Sequence, residues 1–134
     1  YPSIMANFNI SPETIRPGRL DPDTGLPMTS REPGLIPRTL QPLLKKRIAI
    51  KEELLGMSKW DTRYRLYKAQ SAAHKWLLVT CFGYLGYKNA RFGKIEAHEA
   101  VTAYGREALL RTKKATKRPQ DQADVQALEA RRRP

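Results

Sequence analysis

The sequence predicts a mainly α-helical fold: an antiparallel helical hairpin with flanking helices, a Pro/Gly-rich passage and little β structure. Three observations predict it. Apolar residues recur at helical spacing over two stretches separated by only a few residues, and a third such stretch follows a glycine-rich turn. Six prolines and three glycines crowd residues 9–37, where regular structure has little room.

The crowded passage comes first. Pro12, Pro17, Pro22, Pro27, Pro33 and Pro37 are interleaved with Gly18, Gly25 and Gly34, which leaves space for a short strand at most. From Pro37 the punctuation changes. Apolar residues at 36, 40, 43, 44, 48, 50, 54 and 55 follow the 3.6-residue repeat, and Gly56 stands where a cap belongs. Pro42 falls early enough for its missing N–H to be tolerated, so the spacing predicts a helix of about five turns ending near Gly56. Ser58 or Asp61 is suited to cap the next stretch, "DTRYRLYKAQSAAHKWLLVTCF", predicted to run to Gly83. So short a connection makes the two helices antiparallel. After "GYLGYKNARFG", the stretch "IEAHEAVTAYGREALLRTK" opens with acids and closes with bases, as a helix dipole favours. The final "KKATKRPQDQADVQALEARRRP" reads as a solvated or poorly ordered tail with a short helix at 121–131.

Charge narrows the function classes. The net charge is +12, distributed as −1 over residues 1–36, +13 over 37–118 and 0 over 119–134. A field so concentrated attracts polyanions: nucleic acid, the phosphates of a nucleotide, or an acidic membrane face. Membrane is the weakest of these, because no apolar run approaches the roughly 20 residues of a spanning helix and no secretory segment is visible. The lone cysteine, Cys81, forms no internal disulfide, fits a reducing, cytoplasmic compartment, and reads first as a small buried hydrophobe. His74 and His98 stand 24 apart without metal-ligand spacing, and nothing supports Ser/His/Asp or Cys/His catalysis.

Placed on helical faces, Arg47 and Lys51 stack one turn apart on the first helix; Ser71, Lys75 and Val79 stack on the second, with Phe82 one turn on. Three cations converging from two helices repel one another unless a multivalent anion lies between them, and a triphosphate has the right charge and size. The alternative is a solvated basic stripe with Glu52 and Glu53 as neighbours. The turn "GYLGYKNARFG" lacks P-loop spacing, and its bare G-x-x-G is too common to carry weight. Phe82, Tyr84, Tyr87 and Phe92 beside Lys88 and Arg91 suit contacts to bases and sugars where a backbone must approach closely; buried aromatics at a tight helix exit are the competing reading.

Four motifs in order, "YPSI" with "NISPET", "PGLIPRTLQPLLKKRIAIKEEL", "KWLLVTCFGYLGYKNARFG" and "EAHEAVTAYGRE", resemble family B DNA polymerases over about residues 1–112. The family's palm motif reads D-x-x-S-L-Y-P-S-I, of which this chain holds the part from Tyr1. An R-x-x-x-K helix is matched by Arg47 and Lys51, and a K-x-x-x-N-S-x-Y-G helix by Lys75, Thr80 and Gly83. The resemblance implies a palm helix from about Tyr1, a partial palm and connection at 1–36, a fingers hairpin at 37–84, a returning palm segment at 85–112 and a divergent tail at 113–134. With no initiator methionine ahead of a stretch that already reads as a motif interior, the true start is expected upstream.

The resemblance also implies roles. Tyr1 would be the steric gate beneath the deoxyribose, clashing with a ribose 2′-OH. Arg47, Lys51 and Lys75 would grip the triphosphate of an incoming deoxynucleotide, and Lys75 is the catalytic candidate that protonates the departing pyrophosphate. Phe82 would pack against the nascent base pair, Gly83 would let the backbone approach it, and Tyr84, Lys88 and Arg91 would meet primer-template DNA. Val79 stands where the family usually has asparagine and Phe82 where it usually has tyrosine, so two polar contacts near the nucleotide are lost. The palm aspartates that hold Mg²⁺ are absent: the first would precede Tyr1, and no D-T-D follows residue 112. The expectation is therefore a segment inactive alone, with Mg²⁺ and the remaining polymerase segments needed for turnover. Two rivals are a non-catalytic nucleic-acid-binding module and an inactivated polymerase relative.

Overall fold

The computed structural model describes residues 1–116 and 118–130. It is mainly helical, as the sequence predicts. In chain order its elements are α1 (Pro2–Asn7), β1 (Ile15–Leu20), β2 (Pro27–Thr29), α2 (Leu35–Gly56), α3 (Tyr64–Leu85), α4 (Ile95–Ala115) and α5 (Pro119–Ala130). Helices α2 and α3 form the antiparallel hairpin: Leu35 and Ile36 at the start of α2 share a groove with Cys81 and Tyr84 near the end of α3, while Glu52 and Glu53 meet the connection near Asp61 and Arg63. Each has 22 residues, about 33 Å at 1.5 Å per residue.

The core lies at the base of this hairpin. Met5 from α1, Leu40 from α2, Leu78 and Leu85 from α3, and Ala97, Ala100 and Val101 from α4 are buried together with Ile10 and Ile15. Small residues on α4 let its backbone approach, while the larger side chains fill the space between helices.

The proline-rich passage holds one strand more than the sequence predicts. β1 and β2 pair antiparallel, Ile15 with Thr29 and Leu20 with Pro27. A step of five residues along β1 thus answers a step of two along β2, so β1 bulges, and Gly18 within it takes φ 73°. Pro17 is tolerated because a two-stranded sheet leaves each strand an unpaired edge. Asp21 closes the turn by accepting from the backbone N–H of Asp23 and Thr24 and from the Thr24 hydroxyl.

What seats this passage against the helices is a polar network. Asn9, at φ 52°, donates from Nδ2 to the carbonyls of Ser30 and Glu32 and accepts at Oδ1 from the Gly34 N–H, at 2.7–2.8 Å. Gly34, ahead of α2, offers no side chain to cap it; instead Glu13 Oε1 accepts from the Leu35 N–H and Ser11 Oγ from the Ile36 N–H. Residues more than twenty positions upstream therefore satisfy two of the orphan donors of the first turn. Burial pushes the Glu13 carboxyl up, but hydrogen bonds from Ser11 and the Leu35 and Glu13 N–H groups, with Arg38 nearby, outweigh it and leave its pKa lowered. Lys94 Nζ adds a strap by donating to the carbonyls of Pro12 (2.8 Å) and Ile15 (3.0 Å).

Two predicted boundaries move, both of α3, while that of α2 near Gly56 holds. α3 starts at Tyr64, not after Ser58 or Asp61, because Asp61 uses its carboxylate in a local turn, accepting from the Arg63 N–H and pairing with its guanidinium. α3 also passes Gly83 and ends at Leu85: Leu85 is 1% exposed, and burying it holds the last turn in the helix, while its carbonyl accepts from the Lys94 N–H. Gly56 closes α2 as its last helical residue, with Met57 extended behind it. The tail is a 12-residue helix with no buried residue, fixed to α4 by Lys113 with Asp121 and Asp124 and by Lys114 with Glu129. It covers 121–130 of the predicted 121–131; the last position lies outside the described residues.

Candidate functional site

Midway along the hairpin, a groove of about 320 Å³ is lined by Leu44, Arg47, Ile48 and Lys51 of α2, Lys75, Leu78 and Val79 of α3, and Pro2 and Ser3 of α1. The periodicity of the sequence produces it. Leu44 and Leu78 lean toward the core, and positions three or four residues away on each helix sit at the rim of that seam. Arg47, Lys51 and Lys75 thus share one concavity. Among the described residues none of the three pairs with a carboxylate, whereas Glu52 and Glu53 line a separate groove near the tip. Glu52 and Glu53, which a solvated basic stripe would set beside the cations, line that other groove, while Lys51 and Lys75 are themselves exposed.

The apolar part of the groove includes Val79, 46% exposed, where an amide would offer a polar contact. One turn on, Phe82 stacks on Tyr1 with ring centroids 4.3 Å apart and planes 19° apart. Gly83 lies on the exposed surface of α3, and a Cβ built there would meet nothing within 4 Å. Tyr1, Arg47, Lys51, Lys75, Val79, Phe82 and Gly83 therefore lie in or beside one concave region.

Tyr84, Lys88 and Arg91 do not join them. Tyr84 is nine residues after Lys75, half a turn out of phase at 100° per residue, and it lines a second groove of about 650 Å³ with Trp76, Leu77, Thr80 and Cys81. Its hydroxyl accepts from the Arg91 N–H at 3.2 Å, tying down the turn, and the Arg91 guanidinium lies over the Phe92 ring at 5.6 Å. Lys88 is exposed on the same turn. Cys81 is half-buried against the core, and burial pushes its thiol up, away from nucleophilic reactivity.

This region does not fit Mg²⁺, which takes carboxylate oxygens: the groove is lined by three cations, Ser3 and apolar groups. Among the described residues, no three His, Cys, Asp or Glu side chains converge elsewhere, and no helix is long and apolar enough to cross a membrane.

Three contributions were not legible from spacing alone. Pro2 and Ser3 close one end of the groove; "YPSI" locates them only through the resemblance. Ser11 and Glu13 cap a helix remote in sequence, which no local capping rule finds. His98 stacks on Phe82 at 4.4 Å and 18°, a tertiary contact without a sequence signature.

The architecture is that of part of a polymerase. The solved family B DNA polymerase from Pyrobaculum calidifontis aligns with this chain at a TM-score of 0.67 and 34% identity, over 83% of this chain and 16% of that one. Residues 1–133 match the DNA polymerase family B profile, beyond the motifs that end near residue 112, and the chain belongs to that family. DNA polymerase 2 of Saccharolobus solfataricus is 39% identical over 113 residues, which are 84% of this chain and 16% of that protein. A DNA polymerase of Archaeoglobus fulgidus is 36% identical over 111 residues, 79% of this chain and 14% of that protein. The chain thus spans about a sixth of the length of the curated relatives it matches.

Proposed function

We propose that the chain supplies the nucleotide-gripping part of a template-directed DNA polymerase and that the groove between α2 and α3 binds the triphosphate of a deoxynucleoside triphosphate. The observation that carries this reading is the convergence of Arg47, Lys51 and Lys75 on one concavity. Like charges brought together in that way are stabilised by a multivalent anion, and a guanidinium fork with two ammonium groups suits phosphate oxygens. Tyr1, stacked on Phe82, lies beneath the sugar and excludes a 2′-OH by contact. Phe82, stacked between Tyr1 and His98, offers the edge of its ring to the nascent base pair, and the bare backbone at Gly83 gives that pair room. Lys75, holding three N–H donors at the phosphates, donates the proton that the departing pyrophosphate takes up. Tyr84, Lys88 and Arg91 serve DNA from the turn beyond α3, outside the nucleotide groove.

Mg²⁺ neutralises charge on the transferring phosphoryl group in this class of chemistry. With no carboxylate in the groove, we assign its retention to polymerase segments other than those described, and the chain alone is inactive in polymerisation. The reading further places the protein in the cytoplasm with primer-template DNA as partner.

Lys75→Ala in the full chain is the test. It is expected to weaken deoxynucleoside triphosphate binding at least tenfold, the scale of one charge-assisted contact, while duplex DNA binding changes less than threefold. Equal losses for both ligands, with affinity falling steeply in salt and no nucleotide preference, would instead mark a non-catalytic nucleic-acid-binding module.

A further inference from the structure

We propose that His98 is a positioning residue for sugar selection: it fixes the ring of Phe82, and through it that of Tyr1, by completing a three-ring stack. This rests on the assignment of Tyr1 to the sugar of the bound nucleotide. The stack runs Tyr1, Phe82, His98, with centroid separations of 4.3 and 4.4 Å and interplanar angles of 19° and 18°. Three elements meet in it, the residue ahead of α1, the last turns of α3 and the first turn of α4.

Phe82 has no hydroxyl, so no hydrogen bond sets the orientation of its ring; packing on its two faces does. Tyr1 covers one face and is itself 57% exposed, a poor anchor. His98 is the firm side. Its backbone N–H donates to the Lys94 carbonyl, and Lys94 in turn is held by the carbonyls of Pro12 and Ile15. The imidazole is wedged against Gly86: a Cβ built there would lie 2.9 Å from His98 Cδ2 and 3.1 Å from Nε2. Only glycine leaves the imidazole that space. At the other end of the stack, a Cβ on Gly105 would come to 3.3 Å from Tyr1 Cε1, so α4 backs both outer rings. A ring sandwiched between two others moves only if one of them yields. Removing His98 frees Phe82 to tilt away from Tyr1, which loosens the surface against which a 2′-OH would clash; the triphosphate groove is untouched.

The test compares wild type, His98→Ala and His98→Phe in the full chain, measuring dissociation constants for a matched deoxynucleoside and ribonucleoside triphosphate and for inorganic tripolyphosphate, with a thermal melt of each variant. His98→Ala is expected to reduce the preference for the deoxynucleotide about three- to tenfold, the worth of one aromatic stack, and to leave tripolyphosphate affinity unchanged. His98→Phe is expected to restore the preference. Gly86→Ala, which displaces the imidazole without removing it, should reproduce the loss, and it serves if His98→Ala fails to fold. Unchanged preference in His98→Ala or Gly86→Ala overturns the inference, as does loss of preference that His98→Phe does not repair. A wild type that binds tripolyphosphate but does not distinguish the sugars overturns this inference alone; one that binds no triphosphate overturns the nucleotide assignment and the inference with it.

Discussion

The two ends of the α2–α3 hairpin both carry large apolar side chains and are held in opposite ways. At the base, Leu40, Leu78 and Leu85 are no more than 4% exposed, enclosed by α1 and α4, and the first turn of α2 is capped by Ser11 and Glu13. At the tip, Leu55 and Trp60 are 87% and 96% exposed, and the connection is organised by local contacts of Ser58 and Asp61. Large apolar residues occur at both ends, among many more charges at the tip; what differs for them is the presence of other elements to cover them. Arg47, Lys51 and Lys75 stand between the two regimes, close enough to the base to be positioned by packing and far enough out to meet a ligand.

The largest contrast concerns cavities. Leu40→Ala is expected to cost about 2–5 kcal/mol in denaturant unfolding, whereas Leu55→Ala should stay within about 0.5 kcal/mol; comparable losses would break the distinction between base and tip. A single chemical change with opposite signs sharpens it further. At Gly34 a Cβ would lie 2.5 Å from Ser11 Cβ and 2.8 Å from Thr14 Cγ2, so Gly34→Ala must displace the capping loop, at about 1–3 kcal/mol. At Gly56 the Cβ meets nothing within 4 Å, and Gly56→Ala is expected to stabilise by about 0.4–1 kcal/mol. Melting temperatures of the two variants should move in opposite directions.

Acid is the mildest probe. Because the folded-state pKa of Glu13 is lowered, the folded chain binds fewer protons there than the unfolded one. Its contribution is complete above the ordinary glutamate range and is lost as pH falls through the lowered value. Glu13→Gln is expected to remove that part of the acid dependence and leave the profile above about pH 6 parallel to wild type. An unaltered acid limb would mean that the carboxylate does not cap α2.

Much of this architecture was legible because it follows from local pattern. The 3.6-residue repeat from Ile36 to Leu55 located α2, and the acids and bases at the two ends of "IEAHEAVTAYGREALLRTK" located α4. Face arithmetic also brought Arg47, Lys51 and Lys75 to one groove. What escaped depends on long-range contact. Gly83 reads as a stop, yet the burial of Leu85 carries the helix past it. Asp61 reads as a cap, yet its carboxylate is engaged with Arg63. The strand pair needs Ile15 and Thr29 to meet across fourteen residues, and the ring stack needs Tyr1, Phe82 and His98 to meet across nearly a hundred, distances over which composition says nothing.

The most direct measurement is a double-mutant cycle on deoxynucleoside triphosphate binding with Arg47→Ala, Lys75→Ala and the pair in the full chain. If both side chains hold one phosphate group from opposite helices, the losses couple, with the double variant departing from the sum of the singles by about 0.5–3 kcal/mol. Losses that simply add, within about 0.3 kcal/mol, would show that the two cations do not share a ligand and would contradict the account.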